Sequence, residues 1–361
     1  MELLNIECLG KPLRLEGSLA GWQQLYWDNQ LVSQKAAGTD NEGLKVHVFQ
    51  LTQTGQIQPL EIRLEADVRW QPFVLDYRLL IDDNVSLEGR RTAKDMEHQA
   101  PPQQATASKP GTLGLLSLAF KLFKSAKVIK VVLAGASVAA YSWLFSFQFA
   151  LALVFCLMFH EYGHIRAMKH FGMKTKGIYL IPFMGGLALT DDKINTRWQD
   201  VVISLMGPFF GLLLSLLALV TYHITHNPFF AALAGFNALL NLFNLLPVLP
   251  LDGGHTIKSI SFSQNRFIGL IVCCAGMVLG IYLSYRLGLT LLGFLLAIGG
   301  LEIIMEWKQR LNSHLIPLDR YGQVVATSWY LLTVVALVGV IWHLAGSGDT
   351  MLSLPLHILQ S

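Results

Sequence analysis

Two histidines and a glutamate follow an uncharged apolar run near the middle of this chain. Residues 151–159 read Leu-Ala-Leu-Val-Phe-Cys-Leu-Met-Phe, and His160-Glu-Tyr-Gly-His164 comes directly after them. Ionisable side chains at membrane depth are rare and costly, so they indicate a functional site. Residues four apart lie on one face of a helix, so the two imidazoles are able to bind one metal ion. Glu161 is then placed to act on a metal-bound water rather than to bind the metal.

A third metal ligand is expected, because a catalytic zinc site has three protein ligands and one open position. The candidate is Asp252, which follows the proline-broken stretch Asn-Leu-Leu-Pro-Val-Leu-Pro-Leu at residues 244–251. The prolines end the preceding helix, and Gly253-Gly254 allows a tight turn around the carboxylate. If the spans before both motifs run inward, the histidines and Asp252 lie at the same membrane depth. A helix N-cap is the alternative role for this aspartate.

The composition is typical of a membrane protein. Of the 361 residues, 53% are hydrophobic and only 14% are charged, whereas soluble domains carry roughly 25% charged residues. The mean hydropathy is +0.45. The net charge of +3 is not the basic footprint of a nucleic-acid-binding protein. Residues 1–16 lack the basic start and apolar core of a signal peptide, and the four cysteines suggest no disulfide framework.

The first 90 residues differ from the rest of the chain. Polar and apolar residues alternate at 45–51 and 60–66, which predicts half-buried antiparallel strands. We therefore predict a small soluble β-sandwich-like domain over residues 1–90, in which no catalytic group of residues is visible. Residues 91–114 are polar and contain Ala-Pro-Pro-Gln-Gln, which predicts a flexible linker.

Residues 115–310 are the predicted membrane core. Lysines three apart between residues 115 and 130 indicate an amphipathic helix at the membrane surface. Apolar segments near the roughly 20 residues needed to span a bilayer follow. They lie at 128–147, 148–168, 200–222, 229–247, 267–285, 287–306 and 325–344. The prediction is a polytopic α-helical membrane protein with about six or seven transmembrane helices, in which residues 311–361 add a carboxyl-terminal helix and tail.

The distribution of basic residues predicts the orientation. Lysines precede the first span, Arg166 and Lys169 follow the second, and Lys308 and Arg310 follow the sixth, whereas the alternate connections are nearly free of Lys and Arg. By the positive-inside rule, the β-domain and the mouth of the site lie on the cytoplasmic side. With no targeting signal visible, a bacterial-type plasma membrane is the simplest location.

The pairing of the two motifs resembles the site-2 proteases, the intramembrane zinc metalloproteases. The resemblance covers roughly residues 115–310. It includes Pro182-Phe-Met-Gly-Gly, which is similar to the membrane-inserted loop after the family's first motif, and Gly207-Pro-Phe-Phe-Gly, which is similar to a glycine-proline signature in the third span.

The resemblance implies one zinc ion per chain, bound by His160, His164 and Asp252. It also implies Glu161 as the general base and a water molecule in the remaining coordination position. This chain departs from some members of the family, because the stretch between the motifs is too short for an inserted PDZ domain. The β-domain lies outside the resemblance, so the regulation by other family modules is not carried over.

A polar stripe formed by Asn237, Asn241 and Asn244 lies at positions i, i+4 and i+7 of the fourth span. These amides either hold unwound substrate backbone near the zinc or form hydrogen bonds between helices. We assign Asn244 and Asn241 to substrate binding, together with Gly185 and Gly186 of the inserted loop. The loop is also the candidate edge to which an extended substrate adds as a strand.

The predicted function is that of a zinc metalloendopeptidase that hydrolyses peptide bonds in or near transmembrane segments, in regulated intramembrane proteolysis. Its expected partners are a membrane-anchored protein substrate and the lipid bilayer, without nucleic acid. One alternative is a catalytically idle scaffold or chaperone of the same fold, against which the intact Glu161 argues. A metal transporter is the other alternative, but the paired internal repeats typical of transporters are not found.

Overall fold

The computed structural model describes most of the chain. The described residues are 1–37, 41–51, 59–99, 126–144, 146–182, 185–190, 192–286, 288, 290–308 and 315–345.

The amino-terminal region contains two four-stranded antiparallel sheets, and in each sheet the spatial order of the strands follows the chain. The first sheet consists of β1 (Glu2–Cys8), β2 (Lys11–Gly17), β3 (Gln23–Trp27) and β4 (Gln30–Lys35). The second consists of β5 (Gly43–Leu51), β6 (Leu60–Trp70), β7 (Phe73–Ile81) and β8 (Asn84–Thr92). The predicted all-β amino-terminal region is thereby confirmed.

The alternation of side chains explains why these strands form. On β6, Ile62, Leu64 and Ala66 are fully buried, whereas the intervening Arg63 and Glu65 are partly exposed. Successive side chains of a strand point to opposite faces of its sheet, so one face of β6 is apolar. The inward-facing residues of both sheets form one shared hydrophobic core.

The ordered amino-terminal region continues beyond the predicted start of the linker at residue 91. Strand β8 extends to Thr92, and a short helix, α1 (Ala93–Glu97), follows it. Thr92 and Asp95 form a capping box at the start of α1, and Met96 is 2% exposed because it packs into the core of the sheets. We call residues 1–99 the β-domain; the rest of the predicted linker, residues 100–114, lies outside the described residues.

The membrane region follows the β-domain and is mainly helical. Its elements are α2 (Ala126–Leu144), α3 (Phe147–His170), β9 (Thr175–Ile181), β10 (Gly185–Thr190), α4 (Arg197–Thr225), α5 (Pro228–Asn244), α6 (Asp252–Gln264), α7 (Arg266–Arg286), α8 (Thr290–Lys308) and α9 (Arg320–Ala345). Most of the predicted surface helix at 115–130, and the tail beyond 345, lie outside the described residues.

Three helices of the described chain are long and apolar enough to cross a membrane by length and composition. They are α4, α9 and the part of α7 from Phe267 to Arg286. Shorter apolar stretches lie at Ile129–Trp143, Pro228–Asn244 and Leu295–Met305. Helix α5 has 17 residues and is therefore about 25 Å long, which is less than the roughly 30 Å of hydrocarbon in a bilayer. A membrane protein is supported, but the predicted count of six or seven spans is not confirmed.

Two elements beside the predicted site were not expected from the sequence. Strands β9 and β10 form an antiparallel hairpin in which Gly186 pairs with Leu180; this hairpin contains the loop predicted to insert into the membrane, of which residues 183 and 184 lie outside the described part. Helix α6 begins at Asp252 itself. Its two early glycines have low helix propensity, which explains why the pattern did not predict a helix there.

Candidate metal centre

Helix α3 presents His160 and His164 one turn apart on its buried face. Both side chains are buried, with 3% and 8% of the residue surface exposed. Their Nε2 atoms lie 3.1 Å apart. The four-residue spacing predicted from the motif therefore brings the two imidazoles to one point.

Asp252 reaches the same point from the first turn of α6. Its Oδ2 atom lies 3.2 Å from Nε2 of His160 and 3.5 Å from Nε2 of His164. The structure thus brings together the three residues that the sequence analysis named as metal ligands.

The backbone at the start of α6 passes close to the backbone at the end of α5, and this close approach positions Asp252. A Cβ atom added to Gly253 would lie 2.1 Å from the carbonyl oxygen of Leu245. Real Cβ atoms do not approach an oxygen so closely, so a side chain here would force the loop apart. The glycine after Asp252 therefore serves a close backbone approach.

The second nitrogen of each histidine has a fixed hydrogen-bond acceptor. Nδ1 of His164 lies 2.7 Å from the carbonyl oxygen of Ile203, and Nδ1 of His160 lies 2.7 Å from Oδ1 of Asn241. The amide nitrogen of Asn241 donates to the backbone carbonyl of Asn237 at 2.7 Å, which turns Oδ1 toward the histidine. Each Nδ1–H therefore donates, and each neutral ring carries its lone pair on Nε2.

The lone pairs of His160 and His164 and a carboxylate oxygen of Asp252 therefore occupy one buried space. Three electron pairs at separations of 3.1–3.5 Å repel one another unless a cation or a proton lies among them. For tetrahedral zinc with ligand distances of about 2.0–2.1 Å, neighbouring ligand atoms are roughly 3.3 Å apart. The donor set and its spacing fit zinc.

Glu161 lies beside the three ligands and is 5% exposed. One ligand atom each of His160, Glu161 and His164 fall within 4.8 Å of one another. Strand β10 packs against the side chain of Glu161. A Cβ atom on Gly186 would lie 2.2 Å from Cγ of Glu161, so this strand passes directly over the glutamate.

Gly207 of α4 covers the two imidazoles from the other side. A Cβ atom at this position would lie 2.3 Å from Nε2 of His164 and 2.9 Å from Nε2 of His160. Any larger residue would displace the predicted ligands. The Gly207-Pro208 signature is visible in the sequence, but its contact with the two histidines is not.

The predicted substrate-binding residues differ in their surroundings. Asn241 is fully buried, and both ends of its amide are used inside the protein, so the structure gives it a positioning role toward His160 instead of a substrate contact. Asn244 is half-buried at the last position of α5. Gly185, at φ +95°, has open space where a Cβ would lie, and Gly186 lies against Glu161.

Two partners of the histidines were missed by the sequence analysis. The carbonyl group of Ile203 has no signal in the sequence, because every residue has one. Asn241 had a signal, since it lies three residues before the start of the second motif, but its spacing does not reveal which neighbour it faces.

Comparison with known proteins agrees with this arrangement. The model of Peptidase family M50 matches residues 148–227, which include the histidine motif on α3, the β9–β10 hairpin and Gly207 on α4.

Curated relatives match a longer part of the chain. The protein "Putative zinc metalloprotease sll0528" of Synechocystis sp. is 31% identical over 199 residues, which cover 53% of this chain and 46% of the relative. "Zinc metalloprotease MJ0392" of Methanocaldococcus jannaschii is 29% identical over 143 residues, covering 38% and 41%. "Stage IV sporulation protein FB" of Bacillus subtilis is 24% identical over 181 residues, covering 47% and 63%.

The chain spans less than two thirds of the length of each of these relatives. The part matched by the family model contains the histidine motif, whereas Asp252 lies beyond it. The match of residues 148–227 to Peptidase family M50 confirms the resemblance to the site-2 proteases.

Proposed function

We propose that this protein is an intramembrane zinc endopeptidase that hydrolyses peptide bonds in or near the transmembrane segments of membrane-anchored proteins. The observation that carries the proposal is the convergence of Nε2 of His160, Nε2 of His164 and Oδ2 of Asp252 beside Glu161, within a region of apolar helices. The words "zinc metalloprotease" in the names of two relatives support the same activity.

His160, His164 and Asp252 would hold one zinc ion. Zinc supplies Lewis acidity, which polarises a peptide carbonyl and makes water a better nucleophile near neutral pH. Glu161 is the proposed general base: it takes a proton from the attacking water and delivers it to the leaving amine. The close approach of Gly186 restricts the position of this carboxylate.

The hairpin formed by β9 and β10 is the proposed site for the substrate backbone. A transmembrane helix hides its peptide bonds in internal hydrogen bonds, so the substrate must unwind locally before attack. Because Gly186 packs against the side chain of Glu161, β10 runs alongside the proposed base, and an extended segment added to its edge would pass the metal centre. Gly185, Gly186 and Asn244 are the proposed contacts.

The proposed setting is a bacterial-type plasma membrane, with the β-domain and the mouth of the site on the cytoplasmic side. The basic residues that follow α3 support this orientation, because Lys and Arg are enriched in cytoplasmic connections. Regulated intramembrane proteolysis, which releases a soluble factor or clears a membrane remnant, is the proposed use.

The test is cleavage of a panel of single-span reporter proteins by wild-type protein and by Glu161→Gln, with bound zinc quantified in both. We expect cleavage by the wild type alone and about one zinc ion in each, since the glutamine removes the base but none of the three ligands. Tyr162→Phe is the matched control, because this neighbour in the motif is 45% exposed on the outer side of α3. Zinc in both proteins without cleavage in either would favour the scaffold alternative, and a folded wild type without zinc would refute the proposal.

A further inference from the structure

Helix α6 connects the metal centre to the β-domain. Its first residue is Asp252, and its last turn contains Ser263. With 13 residues and a rise of about 1.5 Å per residue, it is roughly 20 Å long. A helix of this length transmits a shift at one end to the other as a nearly rigid rod.

The β-domain holds the far end of α6 directly. Gln71, in the turn between β6 and β7, donates from Nε2 to the carbonyl oxygen of Ser263 at 2.7 Å and to that of Leu318 at 3.3 Å. The first of these carbonyls is one of the last four of α6, which lack partners within the helix. The β-domain therefore supplies a cap for α6 from outside the membrane region.

The segment before α9 holds the same serine from another side. The backbone N–H of Leu318 donates to Oγ of Ser263 at 2.9 Å. Two residues earlier, Ile316 is 1% exposed and packs into the hydrophobic core of the β-domain. This segment thus links the core of the β-domain to the last turn of α6.

Buried polar contacts fix the middle of α6 against its neighbours. Oγ of Ser259 donates to Oδ2 of Asp200 on α4 at 2.5 Å, and Nζ of Lys258 donates to Oε1 of Glu302 on α8 at 2.6 Å. Ser259, Lys258 and Asp200 are each less than 10% exposed. A rotation of α6 would leave charges buried without their partners, which is strongly unfavourable.

We propose that α6 is a strut that sets the position of Asp252, and that the β-domain stabilises this strut through Gln71, Ser263 and the Ile316–Leu318 segment. Gln71 and Ser263 are then positioning residues for the metal centre, although they lie at the opposite end of the helix. The inference rests on the proposed function in one respect, namely that Asp252 holds zinc.

The test compares two buried serines of α6. Ser263→Ala removes the acceptor for the N–H of Leu318, whereas Ser261→Ala removes hydroxyl contacts to the backbone of α6 alone, at Ile257 and Lys258. We expect Ser263→Ala to release zinc to a chelator roughly tenfold faster, because a buried donor loses its partner, and to lower kcat with KM unchanged. Ser261→Ala should stay within about twofold of wild type.

Variants of Gln71 test whether the β-domain stabilises the end of α6. Gln71→Glu places a carboxylate against two carbonyl oxygens and should release zinc faster than Gln71→Ala. Gln50→Glu, at an exposed position of β5, makes the same chemical change away from α6 and should match wild type.

Hydrogen exchange of the amides of residues 252–258 in metal-free protein gives a measurement that does not depend on catalysis. We expect faster exchange in Ser263→Ala and Gln71→Glu than in their controls. Equal exchange and equal zinc release in variants and controls would overturn the strut, even if wild type binds zinc and cleaves. A wild type without zinc, but with faster exchange in the two variants, would overturn the proposed function and retain the strut.

Discussion

The β-domain and the membrane region both bury histidines, but the ring nitrogens have different partners. His47 on β5 is fully buried, with Nδ1 3.0 Å from the hydroxyl of Ser33 and Nε2 3.0 Å from the amide oxygen of Gln23. In the membrane region, His160 and His164 have one nitrogen on a fixed acceptor and the other facing Asp252 and each other. Burial is therefore common to both kinds of histidine, whereas the partner of the second nitrogen distinguishes the proposed metal ligands.

The largest expected effect separates the two kinds of histidine by substitution. His164→Ala removes one of three proposed ligands, so we expect zinc affinity and cleavage to fall by more than about a hundredfold, beyond the effect of changing an outer partner. His47→Gln should leave both within about twofold. Zinc content and reporter cleavage measure the difference. Retention of zinc by His164→Ala would show that His164 is no more a metal ligand than His47.

The second expected effect is a dependence of β-domain stability on pH. Burial, and then the positive charges of Lys35 and Lys45, lower the pKa of His47 to about 4, whereas the unfolded chain has the ordinary value near 6.5. Between these values the unfolded state binds the proton and the folded state does not, so stability falls as the pH decreases from about 6.5 to 4. The expected loss is roughly 3 kcal/mol.

Hydrogen exchange of β-domain amides in the full-length protein, corrected for intrinsic rates, measures this loss. The glutamine in His47→Gln does not titrate, so the variant should lack this part of the pH dependence. If wild type and His47→Gln lose the same stability over this pH range, the histidine is not its origin.

The smallest expected effects lie on helix α5 and sharpen the comparison within the membrane region. Asn241→Leu, close in shape to asparagine, removes the acceptor for Nδ1 of His160, and we expect zinc affinity to fall roughly 10- to 100-fold. Asn244→Ala should leave zinc affinity unchanged and raise KM for the reporter substrate. Zinc titration and steady-state kinetics of both variants are the measurements, and equal zinc affinities would argue against the positioning role of Asn241.

The three proposed metal ligands were predictable from the sequence, because their spacing is a local property. His160 and His164 share a helix face through a separation of four, and the Asp-Gly-Gly sequence at Asp252 follows a break forced by prolines. The structure brings these three residues together as expected. Alternating strands of the β-domain were predictable for the same local reason.

The features that differ from the sequence-based predictions depend on contacts between segments far apart in the chain. Asn241 was assigned to substrate because a polar stripe does not show which helix it faces, and the structure turns it to His160. The ordered residues after 91 were predicted as linker because Met96 is the one large apolar side chain between residues 91 and 99. Its burial depends on the sheets. Helix α6 has little intrinsic propensity and is held by tertiary contacts.

The burial of Ile316 within the β-domain has a consequence for the order of folding during synthesis. The β-domain emerges from the ribosome first, yet its hydrophobic core contains a side chain made only after α2 to α8 have been translated. At roughly 5–20 residues per second, this residue arrives on the order of ten seconds or more after Met96. Until then, the position that Ile316 fills in the β-domain is accessible to water. The core of the β-domain is therefore completed only after the helices that precede α9 have been synthesised.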